Sequence, residues 1–283
     1  MPKDRSPAAP EDPPQKRWTQ PILQKALPLK PWMTPIGARL PGLSPIHLQD
    51  WLLTDDVFAE QMAYRDQLIR HKQASVFACQ PEAEAGAREL LECLKDELPA
   101  HNPAYQRRRA QLTRPDGLTI DTSTSPPLLA AGRLAQEDFA LLDNSANGHT
   151  LVGGLICFPA FWQLADKLGQ SLAGVHRPIT AFTENMAART DHIFTHLRPE
   201  QPLMRANFLI YTNPDLHQPA REGTKKVLAP DQPRYVRVER QTLRRLPQTG
   251  LIVFAIHTFI LPAAQLTSQE LTSLARLRPE VLQ

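Results

Sequence analysis

The chain has 283 residues, 42% of them hydrophobic, and a formal charge of +3. That length allows one large domain or two modest ones with a real core, and no apolar run approaches the ~20 residues of a membrane span. The charge is too small and too evenly spread to indicate nucleic acid. Cys79, Cys93 and Cys157 are an odd number at wide spacings. They cannot supply the four thiolates of an iron–sulfur cluster or a structural zinc spacing, and they suit a reduced, cytoplasmic protein. No Gly-x-Gly-x-x-Gly or Walker-type loop occurs, so redox chemistry here needs electrons from elsewhere.

Residues 1–28 carry Pro2, Pro7, Pro10, Pro13, Pro14 and Pro21 among charges and no apolar signal core, which predicts a disordered or surface-draped tail. Residues 29–125 are read as a helical N-terminal extension. It begins with an extended, proline-rich stretch pinned by Trp32, Ile36, Leu40 and Leu43. Thr54 and Asp55 open a helix to about Lys72. Pro81 starts another running to Leu98, striped by Leu90, Leu91, Leu94 and Leu98. Arg107, Arg108 and Arg109 read as a solvated basic face, or else as a docking patch.

Residues 126–264 change texture. The pattern predicts a helix over 128–136, strands over 138–143 and 150–158, helices over 161–174 and 184–197, and a strand over 203–211. Gly153 and Gly154 inside the second strand signal a bulge or a close approach. A long hairpin over 235–261 follows, turning at Pro247-Gln-Thr-Gly250. Residues 265–283 close with a helix capped by Thr267-Ser-Gln-Glu270. Strands, then helices, then strands define an α+β class with an antiparallel sheet.

The hairpin is unusual for its charge. Val236 and Val238 share a face with Arg240 and Thr242, whereas Arg237, Glu239 and Gln241 share the other. A pairing of Leu246 with Leu251 puts Arg240 opposite His257. Polar groups in so apolar a hairpin are either paired inside or facing a polar ligand.

Seven short motifs then occur in order. They are Pro31-Trp-Met, Gln136-Glu-Asp138, Cys157-Phe-Pro-Ala-Phe-Trp162, Asp166-Lys-Leu-Gly169, Val175-His-Arg-Pro178, Arg205-Ala-Asn-Phe208 and Arg237-Val-Glu-Arg-Gln-Thr-Leu-Arg-Arg-Leu-Pro247. Together they resemble the haem-dependent oxidative N-demethylase α-subunit family, from about residue 30 to about 265. The resemblance implies a PAS-like haem domain carrying haem b. It implies oxidation of a dimethylamine-like secondary amine by dioxygen to a primary amine and formaldehyde. FMN, a [2Fe–2S] cluster and the NADPH site would lie on separate reductase subunits.

On that footing His176 is the expected iron ligand, with His257 and His192 as competitors. Arg237, Arg240, Arg245 and the loop from Arg221 to Lys226, with Gly223 inside it, are expected to meet the haem propionates. Arg205 and Asn207, two apart on one strand face, are expected to polarise dioxygen. The other reading of Arg205 is an ion pair with Glu239. A protonated amine needs a carboxylate, and Glu239 is the first choice, ahead of Glu137 and Asp138. The alternatives to an enzyme are a haem-based PAS gas or redox sensor, and an interaction subunit without haem.

Overall fold

The computed structural model describes residues 20–34, 42–145, 148–175 and 184–282. The N-terminal part contributes a two-residue strand β1 (Ser44–Pro45), helix α1 (Phe58–Val76), strand β2 (Phe77–Cys79) and helix α2 (Glu84–His101). A small hairpin sheet follows, β3 (Gln106–Arg108), β4 (Gln111–Thr113) and β5 (Thr119–Asp121), and then α3 (Pro127–Gly132). Next come β6 (Asp138–Ser145), β7 (Gly148–Leu155), the short α4 (Leu172–Val175) and α5 (Glu184–Thr195). The chain ends with β8 (Leu203–Tyr211), β9 (Tyr235–Arg245), β10 (Ile252–Pro262) and α6 (Ser268–Leu277). It is an α+β protein.

Seven strands form one antiparallel sheet in the order β1-β8-β9-β10-β6-β7-β2. Its five inner strands follow a third-fourth-fifth-first-second order, with which a PAS-like fold is compatible. Both edges are supplied from the N-terminal part. β1 pairs with β8, and β2 pairs with β7.

The hairpin register is the expected one, with His257 opposite Arg240 and Thr258 opposite Glu239. Its turn is held from outside. The buried Glu89 of α2 accepts hydrogen bonds from the Gln248 and Thr249 amides at 2.6 and 2.8 Å and from the Thr249 hydroxyl at 2.6 Å. Helices cover both faces of the sheet. On the face of Val238 and Arg240, Phe139, Leu141, Val253 and Ala255 pack against α2 and α3, while Val236, Val238 and Phe259 pack near α6. On the opposite face, Ala140, Leu142, Leu243 and Ile252 pack with Leu172, Phe194 and Leu197.

Gly153 and Gly154 are the predicted close approach. The β6–β7 register shifts between Leu141 and Leu142, and a Cβ on Gly153 would lie 3.0 Å from the Cβ of Ala83. The predicted helix over 161–174 is instead a 3-10 turn, Leu164–Asp166, and the four-residue α4. Gly169, at φ 76°, breaks the helix and lays residues 169–171 beside β7. The segment around Arg107–Arg109 forms β3 and β4, with all three arginines exposed. The capping box over Thr267 and Glu270 is present.

Glu89→Ala would strip the hairpin turn of its acceptor and leave two backbone N–H groups without one. We expect a loss of roughly 1–3 kcal/mol in chemical denaturation, partly restored in Glu89→Gln.

Candidate functional site

Because residues directly opposite in an antiparallel pair share a face, β8, β9 and β10 define two polar zones on opposite sides of the sheet. The first is a strip on the face that packs with α4 and α5. On β9 it carries Arg237, Glu239 and Gln241. Arg205 stands opposite Gln241, Asn207 opposite Glu239, and Thr258 opposite Glu239 on the other side.

Glu239 is 6% exposed and is gripped along its own strand. Arg237 Nε donates to Oε1 at 3.2 Å, and Gln241 Nε2 donates to Oε2 at 3.1 Å. Arg237 is fixed in turn. It donates to the Leu216 carbonyl at 3.0 Å, to the Phe158 carbonyl and to Thr258 Oγ1 at 3.4 Å. The motif around Cys157 is thereby tied to the carboxylate on β9. Two of the acceptor directions of Glu239 are taken, and a carboxylate has about four.

Arg205 differs. It is half-buried, its Nε has no hydrogen-bond partner among the described residues, and no direct ion pair to Glu239 forms. Burial pushes its pKa down, with the Glu239 charge opposing. Asn207 Oδ1 accepts from the Phe208 amide at 2.9 Å, which turns its NH2 away from the backbone. Around the strip stand apolar side chains of the same face and its cover, among them Trp162, Val175, Leu203 and Phe254.

The second zone lies behind the sheet. His257 is wholly buried, with Nδ1 3.0 Å from Glu137 Oε1 and Nε2 3.3 Å from Asp55 Oδ2. Burial alone would lower its pKa, but hydrogen bonds to Asp55 and Glu137, and their charges, raise it to about 9. Burial works against the Asp55 carboxylate too, yet its bonds to His257, Gln136 and Gln24 hold its pKa below the ordinary value. Both ring nitrogens are thus engaged, and a histidine so placed offers no lone pair to a metal. Arg240, on the same face, donates to the carbonyls of Asp50 and Trp51. Asp138, which stands opposite Ile256 and so on the strip's own face, pairs with Arg65 at 2.8 Å and accepts the Cys157 and Phe158 amides at 2.9 and 2.7 Å.

The remaining candidates are dispersed. Arg245 binds carbonyls of Phe194 and Leu197 and the turn at Gly250. Lys226 donates to the Ile210 carbonyl and lies over the Tyr211 ring, and burial above all brings its pKa down to about 8. Gly223, at φ 86°, is in the exposed loop with Arg221. His192 is exposed, at 4.2 Å from the His196 ring. His176 lies outside the described residues, one position after Val175. The structure therefore gathers Arg205, Asn207 and Glu239, with Arg237 behind them, and sets Arg240 and His257 on the other side of the sheet. A cleft of about 200 Å³ lined by Tyr64, Asn213, Asp215 and Leu216 meets the Arg237 end of the strip through the Leu216 carbonyl, and it is smaller than the ~300–1,000 Å³ of cofactor pockets.

One partner went unseen in the sequence. Asp55 reads there as a helix cap, but one oxygen meets the Val57 amide at 3.1 Å and the other faces His257. Gln241 is visible only through its two-residue spacing from Glu239.

Fold and site define an α+β protein whose sheet carries a buried ionic strip on the face beneath its internal helices. Over residues 42–280 the chain matches the family described as haem-dependent oxidative N-demethylase, alpha subunit-like, and it belongs to that family.

The raised pKa of His257 gives a stability profile with a definite sign. The folded protein holds this proton to about pH 9, whereas the unfolded chain releases it near 6.5. The contribution is complete below 6.5 and is lost as pH rises to about 9. Thermal melts should fall across that window in the wild type and be flatter in His257→Gln. That variant leaves buried carboxylates unpaired and should lose roughly 3–5 kcal/mol at neutral pH.

Proposed function

We propose that this chain is the haem-bearing, dioxygen-using subunit of an oxidative N-demethylase whose substrate is a small secondary amine of the dimethylamine type. The overall change would be R2NH + O2 + 2 e⁻ + 2 H⁺ giving RNH2, formaldehyde and water when the lost group is methyl. A PAS-like core would carry haem b. Electrons would come from a separate subunit bearing FMN, a [2Fe–2S] cluster and an NADPH site. The three free cysteines fit a reducing, cytoplasmic setting, and among the described residues no helix is long and apolar enough to cross a membrane.

The observation that carries this reading is the ionic strip itself: a buried carboxylate and an arginine without a hydrogen bond to any described residue, with Trp162, Leu203 and Phe254 among the apolar side chains of that face and its cover. Apolar walls with a guanidinium lacking an acceptor fit a flat, largely apolar cofactor with anionic edges. Haem, when bound, supplies the site where dioxygen is held and reduced. His176 is our candidate for its axial ligand.

The chain's own residues have separate tasks. Glu239, held rigid by Arg237 and Gln241, accepts an N–H of the protonated amine through a free lone-pair direction. Its carboxylate is also the group of the strip that can take that proton. Asn207, opposite it, presents an amide donor, and Arg205 supplies positive charge. Trp162 and Phe254 shield the site from water, which strengthens these contacts.

The test is an absorption titration of the haem-reconstituted protein with dimethylamine, together with product analysis for methylamine and formaldehyde. Glu239→Gln should keep the Soret band but weaken the amine-induced shift about 10–100-fold, the value of a charge-assisted hydrogen bond. An unchanged response would remove Glu239 as the anchor. His176→Ala should lose or shift the Soret band. A haem spectrum indifferent to amines in the wild type would favour the sensor reading.

A further inference from the structure

We infer that Arg205 is a carboxylate receptor, whose guanidinium takes one carboxylate of the molecule that fills the strip. The inference rests on the proposed haem-amine site and narrows what enters it. It starts from a contrast among the buried or half-buried arginines. Arg65 has Asp138, Arg114 has Asp66 and Asp116, and Arg244 has both oxygens of Glu97 at 2.6 and 2.7 Å. Arg237 and Arg240 have backbone carbonyls. Among the described residues Arg205 has no hydrogen bond, and its Nε is buried. An Nε–H taken out of water without an acceptor lacks a partner on that edge of the guanidinium, because its desolvation is not offset.

The neighbours do not supply that partner. Glu239, the carboxylate on the same face, turns its oxygens to Arg237 and Gln241 and forms no ion pair with Arg205. Gln241, directly opposite Arg205, donates through Nε2 to Glu239, and its Oε1 takes no hydrogen bond from Arg205. Summing the strip, Arg237 and Glu239 cancel and Arg205 leaves one positive charge over. The strip is complete when a ligand brings one negative charge.

Geometry narrows the anion. With Nε buried and without an acceptor, and no hydrogen bond from the Nη groups to a described residue, Arg205 offers a fork of parallel N–H bonds, which matches the two oxygens of a carboxylate. A single oxygen would satisfy only one of them. Two molecules can bring that carboxylate to this face. One is the haem, through a propionate. The other is the substrate, if it is an N-methylated amino acid and not a simple alkylamine. In the second case Arg205 and Glu239 would hold the two ends of a zwitterion.

Both sources are read with Arg205→Met and Arg205→Lys in the full chain. Haem and its dimethyl ester are titrated into haem-free protein and followed by Soret absorbance. If the propionate is the partner, wild type should prefer haem over the ester about tenfold or more, and Arg205→Met should lose that preference. In the haem-loaded protein, N-methylglycine and dimethylamine are compared. If the substrate is the partner, wild type should respond to N-methylglycine at about tenfold lower concentration than to dimethylamine, and Arg205→Met should lose the advantage. Arg205→Lys, which keeps the charge but not the fork, should fall between. Loss of neither preference, or no preference in the wild type, overturns the inference. Arg205→Met removes an unpaired charge and should melt no lower than wild type, so poor folding would itself count against the inference. A protein that takes up no haem refutes the haem reading alone. The Arg205 Nε–H resonance of the haem-free chain, titrated with N-methylglycine, then decides the receptor: movement supports it, and no movement overturns it.

Discussion

A strand as charged as β9 can lie in the middle of a sheet only if each of its ionic side chains finds a partner on its own face. Arg237 and Glu239 meet that condition on the face beneath α4 and α5. Arg240 and Arg244 meet it on the other, through the carbonyls of Asp50 and Trp51 and the carboxylate of Glu97. Most of the architecture supplies these partners. The 48–55 segment, α2 and the loop at Leu216 each place a carbonyl or carboxylate over a cation of the hairpin. Burying two ionic layers in one strand is costly, and it is tolerated because the partners come from the helices and loops that already cover the apolar residues.

The two layers differ in completeness, and that difference separates scaffold from site. Behind the sheet, His257, Asp55, Gln136, Gln61 and Gln24 form a hydrogen-bonded network reaching from the first described residues to β10. Such a network rigidifies the core it sits in. In front, Glu239 retains acceptor capacity, and Arg205 makes no hydrogen bond to a described residue. Single unpartnered atoms occur behind the sheet too, at Glu137 Oε2 and Arg244 Nε, but there each side chain has another bond, whereas among the described residues Arg205 has none.

Much of this was legible in the sequence. Period-two spacing assigned Glu239, Gln241 and Arg237 to one face and Arg240 to the other, and the run Leu251 to Leu261 identified the central strand. The turn at Pro247-Gln-Thr-Gly250 fixed the register that sets Arg240 against His257. What escaped were contacts between residues far apart in the chain. Nothing local says that Asp55 meets His257, 202 positions away. Nor does local pattern reveal β1 and β2, since two- and three-residue strands carry too little periodicity to register. The helix expected over 161–174 failed because Gly169 and the pairing of residue 171 with Thr150 outweighed a favourable apolar spacing.

Those two short strands have a wider meaning. An open sheet ends in rows of unpaired N–H and C=O groups that recruit other chains. Here β1 and β2, both from the N-terminal part, lie along the outer strands β8 and β7. The glycines of β7 let Ala83, just beyond β2, come close. The segment before residue 126 is therefore a selvage, the woven border that keeps a cloth from unravelling. A chain cut there would keep Arg205, Arg237 and Glu239 but lose the partners of Arg240 and Arg244 and present two raw edges to its neighbours, so protection from edge-to-edge association rests on a stretch that carries none of the proposed chemistry.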